Sequence, residues 1–334
     1  MQLSKRCEHG LRAFIAAVLV VLAAACGGGE PASKGEAVVR IGHFPNVTHA
    51  HGLVAHALSR AQKGWFEERL GPGVRVEWYT YNAGPSSMEA LLAGSLDATY
   101  VGPNPALNTY LKSKGEEIRV LGAATRGGAA LVVQGDGRIR SAADMRGKKV
   151  ATPQLGNTQD VACRAWLKAH GYEVTQTGGD VTVLPTQNPD QLALFKKGDL
   201  DAAWTVEPWV SRLEREAGGK VLVSEDDALT TVLVASAKFL SERPGVARRI
   251  ALAHRELTAW IVANPGEAQR LVRSELLAET RQEVSAELLA HCWPRMRFDA
   301  AISIDDFTKF VKAAEGVGYL LAAGDLGRLV PAGL

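Results

Sequence analysis

Polar residues at four predicted helix starts have the types and spacing of an anion site. Ser86 and Glu89 have the spacing of a capping box, and Asn104 precedes a proline at the first helical position. Asn157 and Asn188 begin two further polar runs of this kind. A single cap only begins a helix, but exposed N–H groups at helix N-termini attract anions. We therefore expect the four loops together to bind an anionic ligand.

The most distinctive stretch of the chain is residues 204–209 (WTVEPW). It follows a predicted strand, so its side chains should emerge where that strand ends. Trp204 would offer a flat apolar face to alkyl or ammonium groups, and Glu207 could pair with a cation. The alternative is two core tryptophans with a solvated glutamate between them.

Three histidines, His43, His49 and His51, lie within nine residues. Residues 49 and 51 of a helix point to different faces. No cysteine or acidic residue lies nearby in sequence, whereas zinc needs three or four convergent ligands. We therefore expect no metal, and we expect His43 to be a neutral hydrogen-bonding residue of the pocket.

Motifs of the common enzyme classes are missing from the sequence. It contains no HExxH, GxSxG, GxGxxG or Walker-type Gly-Lys-Ser/Thr motif. His291 and Cys292 are adjacent, but adjacency does not aim one side chain at the other. We expect a binding protein rather than an enzyme, with no cofactor.

Composition argues against a disordered chain and against a general nucleic-acid binder. Of 334 residues, 46% are hydrophobic and 22% are charged, with 38 basic and 36 acidic residues. Such a chain can form real cores and has no basic excess for nucleic acid. Its length fits two domains or one large one.

Residues 1–25 have the pattern of an export signal. Lys5, Arg6 and Arg12 precede 13 uncharged, mostly apolar residues, a run too short to span a bilayer. Removing this segment, which also contains Glu8, leaves 35 basic and 35 acidic residues and a net charge of zero. No other uncharged apolar run reaches the roughly 18 residues that a membrane span needs.

Cys26 follows three alanines and precedes three glycines. This junction resembles a bacterial lipoprotein signal, in which the cysteine is lipidated and becomes the mature N-terminus. Ala23 stands where a leucine is usual, so simple cleavage nearby is the alternative. Residues 26–37 are then expected to be a flexible tether.

Strand and helix patterns alternate along the body of the chain, which predicts an α/β fold with largely parallel strands. Residues 94–100 (GSLDATY) align with residues 198–204 (GDLDAAW) at an offset of 104, and the order of elements around them matches. Two similar lobes explain this duplication. Ligands of such layers bind beyond the carboxyl ends of strands, where the capped helix starts lie.

The C-terminal region, from about residue 230 to 334, is expected to be mostly helical without a further series of strands. Apolar residues recur at helical spacing over 250–262. Cys163 and Cys292 could pair in an oxidising compartment, but sequence alone does not determine their geometry.

Four ordered segments resemble the periplasmic solute-binding proteins of nitrate/sulfonate/taurine-type ABC importers. They are residues 41–46 (IGHFPN), 90–108 (ALLAGSLDATYVGPNPALN), 144–158 (DMRGKKVATPQLGNT) and 199–209 (DLDAAWTVEPW). The resemblance covers about residues 38–240. It implies a two-lobed α/β periplasmic-binding-protein fold, type II-like, whose hinged lobes close on a ligand in the cleft between them.

The resemblance also implies where the lobes and the pocket lie. Lobe 1 is expected at residues 38–123 and 227–334, since the C-terminal helices return to it, and lobe 2 at 124–226. The expected ligand-binding residues are His43, Phe44, Asn46, Gly84, Ser86, Ser87, Gly102, Asn104, Thr125, Arg126, Asn157, Thr158, Trp204 and Glu207.

Arg126 follows a predicted strand over residues 120–124. Its guanidinium could bind a sulfonate or carboxylate through two parallel hydrogen bonds, or it could be a surface arginine near the hinge. With Glu207 and an aromatic wall, the site would suit a small anion or zwitterion, sulfonate- or taurine-like, with nitrate as the other class.

The expected partners are a small-molecule solute, an ABC permease and its ATPase, with no nucleic acid. The protein is expected to be a monomer in the periplasm or on the outer face of the cell membrane, held there only by the lipid at Cys26. Two alternatives stay open. One is an enzyme or binding protein of the related pyrimidine-precursor (thiamine synthesis) type, and the other is the ligand-sensing module of a receptor.

Overall fold

The computed structural model describes residues 37–175, 178–320 and 324–331. The expected export signal, Cys26 and nearly all of the tether lie outside the described residues. Within the described ranges, no helix has both the length and the apolar character needed to cross a membrane.

Eleven strands and twelve α-helices make up the described part of the chain. The strands are β1 (Ala37–His43), β2 (Val74–Thr80), β3 (Ala98–Val101), β4 (Ile118–Gly127), β5 (Ala129–Val133), β6 (Lys149–Thr152), β7 (Thr182–Pro185), β8 (Ala202–Val206), β9 (Lys220–Ser224), β10 (Leu229–Ser236) and β11 (Met296–Phe298). The helices are α1 (Ala50–Arg60), α2 (Trp65–Leu70), α3 (Gly84–Leu92), α4 (Pro103–Lys112), α5 (Thr158–Ala169), α6 (Asn188–Lys197), α7 (Trp209–Ala217), α8 (Ala237–Glu242), α9 (Pro244–Ala263), α10 (Pro265–Thr280), α11 (Ala286–Cys292) and α12 (Asp305–Gly316).

The strands form two sheets of matching order. The first sheet is β11-β4-β10-β3-β1-β2 and the second is β7-β6-β8-β5-β9. We call each sheet with the helices packed on it a lobe, lobe 1 for the first and lobe 2 for the second. The order β2-β1-β3-β10-β4 corresponds to β7-β6-β8-β5-β9, so the duplication that the sequence indicates is present in the topology.

The repeated aspartate makes the same contacts in both lobes. The Asp97 carboxylate accepts a hydrogen bond from the backbone N–H of Arg40 at 2.8 Å, and Asp97 N–H donates to the Arg40 carbonyl at 2.9 Å. Asp201 makes both bonds with Lys149, each at 3.0 Å. The aspartate thus ties the turn before β3 or β8 to the backbone of the neighbouring strand, β1 or β6.

Each sheet lies between two helical layers. Along β10, Leu233 and Ala235 belong to one core cluster with α1, α9 and α10, and Val232 and Val234 belong to another with α4 and α12. Along β5, Leu131 and Val132 divide between two clusters in the same way. The C-terminal helices α9 and α10 therefore pack on lobe 1.

Two expectations about the strands are wrong. The sheets are mixed rather than largely parallel, because β10 pairs antiparallel with β3 and β4, and β5 pairs antiparallel with β8 and β9. The region after residue 230 also contributes strands, since β10 is central to lobe 1. Seven of its eight residues are buried on the two faces, so it lacks the alternation of a half-buried strand.

The chain passes from lobe 1 to lobe 2 at Gly127 and Gly128. Both have positive φ, 76° and 74°, a conformation that favours glycine. A Cβ at Gly127 would also overlap with the backbone carbonyls of Asp226 and Arg295. β4 continues to Gly127, so the expected division at 123/124 falls within this strand; the lobe boundaries stay a prediction.

Candidate functional site

A cavity lies between the lobes, beyond the carboxyl ends of strands from both sheets. Its volume is about 20 Å³, room for on the order of one or two water-sized spheres, and a cavity of about 250 Å³ that shares Asn46, Asn82 and Asn188 with it adjoins it. The lining residues are Phe44, Asn46, Thr48, His49, Asn82, Ala83, Gly84, Gly102, Pro105 and Thr230 from lobe 1, and Pro153, Asn157, Thr158, Gln159, Asn188 and Val206 from lobe 2.

Four helices begin at this cavity. Their first turns or N-caps supply lining residues: Gly84 in α3, Gly102 before α4, Asn157 before α5 and Asn188 in α6. Helix N-termini present unpaired backbone N–H groups and the positive end of the helix dipole. Two such ends come from each lobe, so an anion between the lobes would contact donors of both.

The expected capping scheme holds at one of the four helices. The Asn157 side chain accepts a hydrogen bond from the backbone N–H of Asp160 at 2.8 Å. α3 begins at Gly84, before the expected Ser86 cap, and α4 begins at Pro103 with Gly102 as its N-cap. In each of these helices a proline in the first turn sets the start earlier than the polar residue.

The fourth helix, α6, begins at Asn188 itself, so this residue is not the expected N-cap. Its side chain makes contacts outside the helix instead. It accepts from Thr205 Oγ1 at 3.0 Å and donates to Asn46 Oδ1 at 3.4 Å. Trp209 Nε1 also donates to Asn46 Oδ1, at 2.9 Å. Asn46 of lobe 1 therefore accepts hydrogen bonds from two side chains of lobe 2, Asn188 and Trp209.

A second contact between the lobes lies at Gly102. Thr158 Oγ1 of lobe 2 accepts a hydrogen bond from the backbone N–H of Asn104 at 3.3 Å. A Cβ at Gly102 would overlap with Thr158 Oγ1. The absence of a side chain at Gly102 therefore permits the closed arrangement.

The cavity is polar but carries no formal charge. Among the described residues that line it there is no Asp, Glu, Lys or Arg. Burial lowers the pKa of His49 well below 6.5, and the neighbouring His43 lowers this pKa further. His49 Nδ1 accepts from the backbone N–H of Phe44 at 3.4 Å, which places the proton of the neutral ring on Nε2. The lining thus offers amides, hydroxyls and one neutral imidazole.

The structure brings six of the sequence-predicted residues to the cavity. They are Phe44, Asn46, Gly84, Gly102, Asn157 and Thr158. Asn104 is adjacent through its backbone contact with Thr158. Ser86 and Ser87 are not in the lining, because their hydroxyls donate to the backbone carbonyls of Ala83 and Gly84.

Five other predicted residues face internal partners rather than the cavity. The Thr125 hydroxyl donates to the Thr48 carbonyl at 2.7 Å, and the Trp204 indole donates to Glu225 at 3.1 Å. His43 contacts Glu279 at 3.0 Å. The remaining two are the charged residues Arg126 and Glu207.

The charged side chains of Arg126 and Glu207 both form ion pairs with other residues of the protein. Arg126 donates to Asp306 at 2.8 Å. The Glu207 carboxylate accepts from Ser211 N and Oγ at 3.1 and 2.9 Å and from Arg295 at 3.2 Å. Burial raises the pKa of Glu207 to about 7, although these hydrogen bonds oppose the shift.

Sequence reasoning missed several lining residues. Asn188 was predicted as a helix start but was not among the expected ligand-binding residues. Thr48, Asn82, Gln159 and Thr230 have no local sequence motif that would indicate them. Thr48 and Asn82 follow β1 and β2, Gln159 lies in the first turn of α5, and Thr230 lies at the start of β10. The cysteines Cys163 and Cys292 are buried and unpaired.

The chain is similar to proteins of known class. Residues 32–275 match the model of the NMT1-like family. A Bacillus subtilis (strain 168) protein with the provisional name aliphatic sulfonates-binding protein is 25% identical over 271 residues, 79% of this chain and 77% of that protein. The taurine-binding periplasmic protein of Escherichia coli (strain K12) is 27% identical over 199 residues, 58% of this chain and 59% of that protein.

A solved structure supports the fold. The periplasmic nitrate-binding protein NrtA from Synechocystis PCC 6803 superposes with a TM-score of 0.70 at 15% identity, covering 87% of this chain and 83% of that chain. The expected two-lobed periplasmic-binding-protein fold is therefore confirmed. Because the family model matches more than half of the sequence, the protein belongs to the NMT1-like family.

Proposed function

We propose that the protein is the solute-binding component of an ABC importer and captures a small anionic solute by closure of its lobes. The observation that carries this proposal is the convergence of four helix N-termini, two from each lobe, on one cavity. Only a closed form gives the solute all of these donors, so binding would favour closure. The relatives named above are binding proteins, which also supports this role.

The lining favours an oxoanion with a short apolar substituent. Amide, hydroxyl and backbone N–H donors suit a sulfonate or nitrate, and Phe44, Pro105, Pro153 and Val206 offer apolar surface. Among the described lining residues no carboxylate is available to pair with an ammonium group. We therefore propose an alkanesulfonate as the preferred solute, ahead of taurine and nitrate.

Calorimetric titration with ethanesulfonate, taurine and nitrate tests this proposal. We expect ethanesulfonate to bind most tightly and taurine at least tenfold more weakly, because its ammonium would lose water without gaining a partner. Tighter binding of taurine or nitrate would overturn the preference. No heat from any of the three anions would overturn the proposed function.

We further propose that the chain is exported and anchored by a lipid at Cys26, where a permease and its ATPase would receive the solute. Mass spectrometry of the protein from membranes would then show an N-terminus at Cys26 with attached acyl chains. Cys26→Ala should release the protein from the membrane. An unmodified N-terminus at a neighbouring residue would show simple cleavage instead.

A further inference from the structure

Two histidines and a glutamate converge in the interior of lobe 1, apart from the solute cavity. His43 ends β1, His56 lies in α1, and Glu279 lies near the end of α10. His43 Nε2 lies 3.1 Å from His56 Nδ1, and Glu279 Oε1 lies 3.0 Å from each of these nitrogens. The exposed fractions of the three side chains are 0%, 12% and 3%.

Protons do not satisfy all of these contacts. His56 Nδ1 also lies 2.8 Å from Glu275 Oε1, so it must donate there or to Glu279. An ionised carboxylate only accepts hydrogen bonds, so toward an ionised Glu279 the His43 Nε2 atom must likewise donate. The two N–H donors then face each other at 3.1 Å. In addition, Glu279 Oε2 is buried with no hydrogen-bond partner among the described residues, an arrangement that costs free energy.

From this geometry we propose that His43, His56 and Glu279 form a binding site for a divalent transition-metal ion, with Zn²⁺ as the best fit. A cation accepts all three lone pairs at once, which removes the opposition between the two nitrogens. Zn²⁺ binds histidine nitrogen and carboxylate oxygen at about 2.0–2.2 Å in tetrahedral geometry. Tetrahedral ligands at that distance lie roughly 3.3 Å apart, close to the 3.0–3.1 Å observed.

The surroundings of the cluster also suit a metal. Arg60 donates to Glu275 at 2.9 and 3.0 Å and neutralises that second carboxylate. The three ligands leave one tetrahedral position for water.

This proposal departs from the expectation of no metal. That expectation rested on the lack of a cysteine or acidic residue close to the histidines in sequence, whereas His56 and Glu279 are 223 residues apart in the chain. The ion would join the end of β1 to α10. Phe44, the next residue after His43, and Asn46, three residues after it, line the solute cavity.

The test uses the intact chain, freed of metal by a chelator and then titrated with ZnCl₂. We expect one Zn²⁺ per chain, and Co²⁺ should give the visible absorption of a tetrahedral site. Glu279→Gln should weaken Zn²⁺ binding at least about 100-fold, since even outer-shell partners contribute 10- to 100-fold. The matched control, Glu283→Gln at an exposed position, should bind as the unaltered protein does.

X-ray absorption spectroscopy of the zinc-loaded, unaltered protein identifies the metal ligands directly. It therefore tests the proposal even if the Glu279→Gln variant does not fold. We expect two imidazole nitrogens and at least one carboxylate oxygen around zinc. Less than stoichiometric binding, oxygen-only ligands, or unchanged affinity in a folded Glu279→Gln protein would overturn the proposal. Ethanesulfonate titration with and without chelator separates this result from the proposed solute function.

Discussion

Charged side chains in the interior of this protein contact one another rather than the solute cavity. Glu207 accepts from Ser211 and Arg295, and Arg126 pairs with Asp306. Because an unpaired buried charge costs several kcal/mol, each must find a partner within the fold. Residue type and proximity to a strand end are therefore insufficient to identify a ligand-binding charge.

Glu207→Gln should change how stability depends on pH. The folded protein binds a proton at Glu207 up to about pH 7, whereas an ordinary glutamate loses it near 4.5. The folded state thus holds more protons in this window, so Glu207 lowers stability as pH rises from 4.5 to 7. Relative to the unaltered protein, the variant should gain up to about 3 kcal/mol across this window.

Urea unfolding at several pH values between 4.5 and 7.5 measures this difference in the free energy of unfolding. Other titrating groups cancel in the comparison with the unaltered protein. Glu283→Gln, at an exposed position, serves as the control. A pH-independent difference for Glu207→Gln would contradict the prediction.

Arg126→Ala should reduce stability without reducing solute affinity. The change leaves the Asp306 carboxylate without its 2.8 Å partner, and a hydrogen bond to a charged group contributes about 1.5–3 kcal/mol. Urea unfolding gives the loss in the free energy of unfolding, and ethanesulfonate titration gives the affinity. A large affinity loss in a folded variant would instead assign Arg126 to the solute.

At the scale of elements, the two lobes share one pair of hydrogen bonds between an aspartate and a neighbouring strand. The aspartate before β3 and the aspartate before β8 each exchange two hydrogen bonds with the backbone of a neighbouring strand. This role explains why the aspartate stands at the same place in both copies of the repeat. The motif that reveals the duplication is thus structural, and the solute contacts lie at the other end of the strands.

Asp97→Ala and Asp201→Ala should each lower the free energy of unfolding by about 1–3 kcal/mol, because each removes a charged acceptor from a backbone N–H. The double variant should lose the sum within about 0.5 kcal/mol, since the two sites share no partner. Asn substitutions keep an acceptor oxygen and should cost less. Strong non-additivity would contradict independent roles.

At the scale of the whole molecule, closure depends on surfaces that meet across the cleft. Asn46 contacts Trp209, and Gly102 lies against Thr158. Within the described ranges, Gly127-Gly128 is the only place where the chain passes between the lobes through two consecutive residues with positive φ. Lobe movement is thus expected to turn about this crossing while the sheets stay rigid.

Gly102→Ala should oppose closure. Its new methyl group would overlap with Thr158 Oγ1 of the other lobe. Such overpacking destabilises the closed form by about 1–3 kcal/mol. We expect a tenfold or greater loss of ethanesulfonate affinity and a smaller compaction in X-ray scattering when solute is added. Gly266→Ala, whose Cβ would meet no atom within 4 Å, is the control. Compaction and affinity equal to those of the unaltered protein would contradict the prediction.

Sequence reasoning reached the two-lobed fold and part of the cavity. The repeat around Asp97 and Asp201 indicated the duplication, the polar helix start indicated Asn157 and Thr158, and the family resemblance indicated Gly102. These are local signals, since turns and caps depend on neighbours in the chain. Strand β10 lacked such a signal because both of its faces are buried.

The sequence by itself determined that the chain has two related α/β lobes with a cleft at their strand ends. Only the tertiary structure decided which polar groups face that cleft. Arg126, Glu207 and His43 each meet partners supplied by distant parts of the chain, namely Asp306, Arg295 and Glu279. The physical reason is that the energetic cost of a buried charge or imidazole depends on long-range neighbours, which local spacing does not specify.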